Sequence, residues 1–361
     1  MRAKVMLAAA LAGVLAASAC SSGEDNAEAE GATAPPVTKS AEPVEEQPAK
    51  EPIILAFGGD VHFEGQLRAR LGSPKTAFGP VASILRKADL SMVNLETAIT
   101  TGGTPAPGKE FTFRAPATAF TALKAAGVDV VSMANNHGMD YMETGLADSL
   151  KAIKKTGFPT VGIGRNAKAA YAPYRTTVKG NRIAILGATQ VLDDHLIPAW
   201  TATDTKGGLA SAKDVPRMVQ AVKQARKNSD LVIVHLHWGE ELNPCPLPRQ
   251  KELARQLVDA GADAVVGGHA HIPLGGGYMD DSYIHYGMSN FVFYSASGQT
   301  ANSGVLLLKA AEGKITKAVW KPARLSGGLP VPLKGAAAKA ELKRWQGLRE
   351  CTGLEARKGS S

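Results

Sequence analysis

Five short apolar runs in this chain each end in a cluster of side chains that bind metal ions well. Ile53–Phe57 leads into Gly59-Asp60-Val61-His62, Leu90–Val93 into Asn94-Leu95-Glu96, and Val128–Ala134 into Asn135-Asn136-His137. Later, Asp230–Leu236 carries His235 and His237 ahead of Trp238-Gly239-Glu240, and Asp263–Gly267 delivers Gly268-His269-Ala270-His271. The runs are rich in Val, Ile and Leu, as strands buried on both faces require. In open α/β sheets, ligands collect just beyond the carboxyl ends of the strands. Five strands bringing Asp, Glu, Asn and His to that edge can build one site.

The donor set is oxygen and nitrogen without thiolate, which suits Mn, Fe or Zn at a reactive centre better than a structural zinc site. Asp60 and His62 are two apart, so an extended backbone puts both on one side, able to face one ion. The same spacing relates His269 to His271 and His235 to His237. His235 reads either as part of the active face or as a core histidine, and His237 is preferred as the ligand. Glu96 or Asp60 can bridge two divalent ions. A pair roughly 3.5–4 Å apart would hold a hydroxide and clamp the oxygens of an in-line phosphoryl displacement. This is the chemistry of a metal-dependent hydrolase. His195, beside Asp193-Asp194, and His285, inside an apolar run, belong to no cluster and read as surface and structural residues.

Between the clusters the periodicity predicts helices at about 77–87, 117–126, 142–155, 212–227 and 248–260. A hairpin turns around Lys179-Gly180-Asn181, and beyond Gly275-Gly276-Gly277 the pattern becomes strand-like. Helices alternating with buried strands, closed by a mixed or antiparallel meander, define an α/β chain with one large domain over residues 53–351.

The ends carry different information. Arg2 and Lys4 precede an apolar stretch, Val5–Ala17, too short to span a bilayer and suited to a signal peptide over residues 1–20. Cleavage before Cys20 would leave a lipid-bearing cysteine and a membrane anchor; a plain secretory cut after Ala17 or Ala19 is the alternative. Either way the chain is expected to be exported. Residues 21–52 lack apolar periodicity and hold eight acids, the composition of a disordered tether. Residues 352–361 read as a flexible tail. Of the 41 basic and 33 acidic residues, Arg2, Lys4, Lys39, Lys50 and those eight acids lie before residue 53, leaving 37 against 25, a domain near +12. That balance suits an anionic cell envelope or a polyanionic substrate or product, and no feature points to nucleic acid. Cys245 and Cys351 remain after Cys20, and in an exported domain they are expected to pair.

The motifs GGDVHF, VNLE, MANNHGMDY, HWGEE, GGHAH and HYGMSNFVF resemble the CapA (PgsA) poly-γ-glutamate capsule biosynthesis proteins of the calcineurin-like metallophosphoesterase superfamily. The resemblance covers about residues 52–321. It implies a four-layer αββα sandwich and two metal ions, one held by Asp60, His62 and His271 and the other by Asn136, His237 and His269. Glu96 or Asp60 would bridge them, His137 would be the general acid and Asp140 its orienting partner. Glu96 departs from the superfamily, which places an Asp there, and its extra methylene reaches farther. Membership of that family implies capsule assembly and does not fix a reaction. The donor set is read as that of an exported, envelope-anchored hydrolase using metal-bound hydroxide on a phosphoester or an anionic envelope polymer. The competing class is a non-catalytic polymer-binding subunit of a polyglutamate synthesis or export complex.

Overall fold

The computed structural model describes residues 49–357. The signal peptide, Cys20, the tether up to residue 48 and the last four residues lie outside the described residues.

Two sheets pack face to face. In the first, Ile53–Val61 pairs in parallel with Leu90–Leu95, which continues in parallel to Val130–Ser132 and Thr160–Val161. On its other side Ile53–Val61 pairs antiparallel with Asn302–Ala311, followed by Lys314–Ser326 and Leu329–Pro332. The second sheet runs Gly276–Met279, Ser282–His285, Ala264–Gly268, Leu231–His237, Asn181–Thr189 and Tyr174–Val178. Its central strands are parallel and its two outer ones antiparallel.

Alternation along each strand assigns the layers. Leu55, Phe57, Ile183, Ile185, Leu231, Ile233, Ala264 and Val266 meet between the sheets in one apolar core. Ala56, Val93 and Val131 face the other way, onto Phe120 and Leu123 of helix Thr118–Ala126 and Leu146 of helix Met142–Thr156. Ala184, Val232, Val234 and Val265 likewise meet Met218 and Val222 of helix Val215–Arg226 and Leu253 and Leu257 of helix Pro248–Asp259. Helix, sheet, sheet and helix are therefore stacked in four layers, as the family resemblance implied.

Four local expectations change. The helix expected over 77–87 shrinks to Ala82–Leu85 behind short 3-10 turns, because Pro74 and Pro80 interrupt the backbone ladder. The triple glycine is not only a loop: Gly276–Met279 is an edge strand, and a Cβ on Gly276 would stand 2.7 Å from the Tyr283 hydroxyl. The end of the tether is held, since Lys50 Nζ lies 2.8 Å from Asp230 Oδ1 and Asn181 Nδ2 donates to the Glu51 carbonyl at 2.8 Å. The tail expected from residue 352 packs as far as it is described: Leu354 is buried and Glu355 exchanges two backbone hydrogen bonds with Tyr278. The Cys245–Cys351 disulfide sets that path, with Cα atoms 5.7 Å apart. It ties the segment after helix Gly335–Gly347 to the loop following His237.

Candidate metal centre

The five strand ends meet at one edge between the sheets. Ile53–Val61 reaches it through an irregularity between Phe57 and Asp60, where the pairing with Leu90–Leu95 shifts register. Gly59 makes the shift possible: a Cβ there would lie 1.8 Å from the Ser289 carbonyl oxygen. Past this point Asp60 turns toward the second sheet. Its Oδ1 accepts from Asn94 Nδ2 at 2.9 Å and its Oδ2 from the His269 backbone N–H at 3.2 Å. Gly268 clears the space, because a Cβ at that position would come 2.7 Å from Asp60 Oδ1.

Glu96 is the centre of the cluster. It forms one donor group with Asp60 and His237, and a second with His269 and His271, each with ligand atoms within 4.8 Å of one another. Its Oε1 lies 3.4 Å from His237 Nε2, and neither carboxylate oxygen has a hydrogen-bond partner although the residue is fully buried. His269 Nδ1 is likewise buried and unpartnered. Orphaned buried acceptors of this kind cost free energy unless something satisfies them. A donor separation near 3.4 Å is what two neighbouring ligands on one ion show at bond lengths of about 2.0–2.2 Å. The residues therefore fit a pair of divalent cations sharing Glu96.

Electrostatics agree. Burial and the nearby Glu96 charge push the Asp60 carboxyl up to about 6, and burial also raises Glu96. Two carboxylates crowded away from water resist ionising together, and a divalent cation reverses that balance. Burial holds His237 down to about 4 and His269 well below its ordinary value, which keeps both rings neutral and able to coordinate. His271 goes the other way: burial opposes its charge, but Glu96, Asp60 and Glu241 more than offset it. His269 and His271 also adopt positive φ, 99° and 57°. Side chains rarely tolerate this, and such strain collects where the surrounding fold dictates a functional geometry.

The other expected residues fall around this centre. Asn136 Oδ1 lies 2.7 Å from His237 Nε2, so it adjoins the first donor group. His137 Nδ1 lies 2.5 Å from Asp140 Oδ2, placing the expected acid and its orienting partner in contact. Burial pushes Asp140 up to about 7, against the lowering effect of Lys109, and holds His137 well below its usual range.

His62 is the exception. The strand ends at Val61, and the ring turns into an aromatic pocket, stacked on Phe113 and edge-on to Phe293 and Tyr294. Its nitrogens approach the backbone N–H groups of Glu64 and Tyr294 at 3.0 and 3.2 Å and join neither donor group. His62 is the first residue past the strand, and its ring goes to the aromatic pocket instead of joining Asp60 in a donor group. The partition of ligands changes with it: Asp60 groups with His237, and His269 with His271. His235 points into the core between the sheets, its two nitrogens unpartnered and its pKa depressed by burial to about 3.

Several residues of the site had no distinguishing signal. Lys109 comes from a loop without periodicity, yet its buried ammonium lies 2.7 Å from Asp140 Oδ1 and also donates to the Asn136 carbonyl. Asn94 joins Asp60 to His237 Nδ1 at 3.1 Å, and Asn135 braces it by donating to Asn94 Oδ1 and the Leu95 carbonyl. Both stood in the strand-end clusters, where residue type alone did not separate a brace from a ligand. Asn290 Oδ1 lies 2.7 Å from His271 Nδ1.

Two facing sheets flanked by helices, with acid, amide and imidazole donors gathered at the strand ends, form a four-layer αββα sandwich with one candidate metal centre. The family model described as bacterial capsule synthesis protein PGA_cap matches residues 54–295, and the chain belongs to that family. The capsule biosynthesis protein CapA of Bacillus anthracis is 34% identical over 225 residues, 62% of this chain and 54% of that protein. The PGA biosynthesis protein CapA of Bacillus subtilis (strain 168) is 28% identical over 313 residues, 83% and 78% respectively. The chain thus spans about half the length of the first relative and more of the second. Among solved structures, a phosphatase from Mycoplasma pneumoniae aligns over 76% of this chain and 95% of its own, with 15% identity and a TM-score of 0.49.

Proposed function

We propose that the chain works in the making of capsule or another anionic envelope polymer, and that its strand-end site is a two-metal phosphoester hydrolase. The observation that carries this reading is Glu96, fully buried with both oxygens unpartnered and shared by two donor groups. Asp60, Glu96 and His237, with Asn136 beside them, would hold one ion, and Glu96, His269 and His271 the other. When bound, such a pair supplies Lewis acidity and lowers the pKa of water. The chain's own groups do the rest. Asn94 and Asn135 fix the ligands, and His137 moves a proton at Nε2 with Asp140 behind it. Lys109 holds Asp140 in place. Mn, Fe and Zn all suit this donor set.

Metal analysis of the purified protein, joined to a phosphodiesterase assay with each of these metals, tests the reading. Stoichiometric metal with turnover supports it; a protein that binds no metal under replete conditions refutes it. Export and anchoring through a lipid on Cys20 belong to the same proposal. Cys20→Ala should move the protein from the membrane fraction to the medium, and a wild type already soluble in the medium would end the anchor.

A second reading, a polymer-holding subunit of a synthesis complex, draws on a different surface. A groove of about 760 Å³ at the far end of strand Ile53–Val61 is lined by Lys87, Lys321, Lys334 and Lys339 and by no acidic residue. Salt-sensitive binding of poly-γ-glutamate, lost in K334E/K339E but kept in Glu96→Gln, would favour it.

A further inference from the structure

The donor cluster opens into a cleft of about 280 Å³ whose walls are unlike those expected for a polyanion. Phe111, Phe113, Leu242, Phe293 and Tyr294 line it, and no lysine or arginine does. The nearest ammonium, Lys109, is buried against Asp140 and does not reach the cleft. The remaining acidic group at the mouth is Glu241, exposed and 3.8 Å from His271 Nε2. A chain bearing a carboxylate at every residue would meet Glu241 there and, beyond the metal centre itself, no lysine or arginine on the walls to offset it.

The apolar character is held in place by the backbone. Among the described residues, four large hydrophobic side chains are exposed: Ile54, Phe111, Leu242 and Val331. Two of them, Phe111 at 52% and Leu242 at 60%, stand on this one rim. Leu242 has a φ of 59°, a conformation Leu seldom adopts, and its N–H donates to the Ala270 carbonyl at 3.0 Å. Deeper in, the Phe113 ring stacks on His137 with centroids 4.0 Å apart, and Phe293 lies 5.0 Å from His271. Apolar side chains therefore stand both on the rim and against the reacting groups, with Asn290, Ser295 and Thr300 as the uncharged polar part of the lining. Exposed apolar patches beside a site mark what the site receives.

We infer that the site takes a phosphate ester of a bulky apolar alcohol, with the apolar group on Phe111, Phe113 and Leu242 and little negative charge beyond the phosphate. This rests on the phosphoester reading above. The reaction adds water across one phosphorus–oxygen bond: the water oxygen bonds to phosphorus and the bond to the alcohol oxygen breaks. One of the water's protons ends on the released alcohol, and no other reactant is needed.

Steady-state kinetics of the metal-loaded protein on methyl 4-nitrophenyl phosphate and octyl 4-nitrophenyl phosphate test the inference. Burying one such chain on the rim should favour the octyl ester in kcat/KM by roughly 10- to 100-fold. Phe111→Ser and Leu242→Ser should each cut that ratio several-fold, whereas Val331→Ser, an apolar surface change outside the cleft lining, should leave it as it was. Poly-γ-glutamate should compete poorly with the octyl ester at moderate salt. Equal rates for the two esters, or an octyl preference untouched by both rim variants, overturns the inference while the hydrolase reading stands. No turnover of either ester by metal-loaded protein sinks the hydrolase reading and this inference with it.

Discussion

Glu96 Oε1 lies 3.4 Å from His237 Nε2, with both side chains sealed from solvent and no hydrogen bond completing the carboxylate. An acid left this way in a finished core fits a cation, and if one binds, Glu96 variants should separate the apo from the loaded protein. Glu96→Gln keeps the volume and removes the charge. In chelator-treated protein it should raise the unfolding midpoint, by no more than about 3 kcal/mol, since an uncompensated buried charge has gone. With metal present the order should reverse, because wild type gains binding energy and the variant does not. Melting curves with and without chelator, with metal content by plasma mass spectrometry, decide it. Equal metal content in both proteins would count against the shared-ligand arrangement.

His137 predicts a different signature. Its ring contacts Asp140 and Phe113 and joins neither donor group. His137→Ala should keep the metal and slow phosphodiester turnover by roughly 10²–10⁴. Behind it, Asp140→Asn leaves the Lys109 ammonium buried without its partner, which should cost about 3–5 kcal/mol. Adding Lys109→Met should recover part of that loss. Urea unfolding of the single variants and the pair measures it, and additive losses would show that the two side chains do not act as a unit.

The disulfide closes a loop between residues 106 apart. A chain-entropy estimate for such a loop is about 4–5 kcal/mol. Cys245→Ser with Cys351→Ser should lower stability by that order and loosen Thr352–Arg357 first, visible as faster amide exchange at Glu355, whose hydrogen bonds to Tyr278 depend on the tie. Two alkylatable thiols in unreduced protein folded under oxidising conditions would rule the bridge out.

His285 supplies the pH dependence. It is fully buried, its ring packed against both Trp320 and Trp345, and burial depresses its pKa to about 3. Below about 6.5 the unfolded chain takes a proton at this ring that the folded chain refuses until about pH 3, so its contribution to stability falls as pH falls through that window. The slope is up to about 1.4 kcal/mol per pH unit. His285→Phe should flatten the fall in urea midpoint between pH 6.5 and 4.5. A variant with the wild-type slope would show that this ring is not kept neutral.

How much of this was legible beforehand depends on how local the signal is. Buried strands announce themselves by runs of Val, Ile and Leu, and candidate donors by type, so the chain alone could nominate Asp60, Glu96, Asn136, His237, His269 and His271, which the fold brings to one edge. Their order at successive strand ends also carried the layered fold and the family. Which of them share an ion could not be read. Asp60 meets the His269 amide across 209 residues, and Glu96 stands between the two donor groups only because both sheets end at one edge. His62 shows the limit most clearly. Two residues from Asp60, it follows the right pattern for a second ligand, yet the strand stops at Val61 and Phe113, Phe293 and Tyr294 capture its ring. Lys109 and the apolar rim of Phe111 and Leu242 are the converse, residues with no periodicity or motif that acquire a role by what folds against them. Composition and spacing determined which donors the chain carries and that strands present them. Distance and burial, which exist only after packing, decided which of them meet.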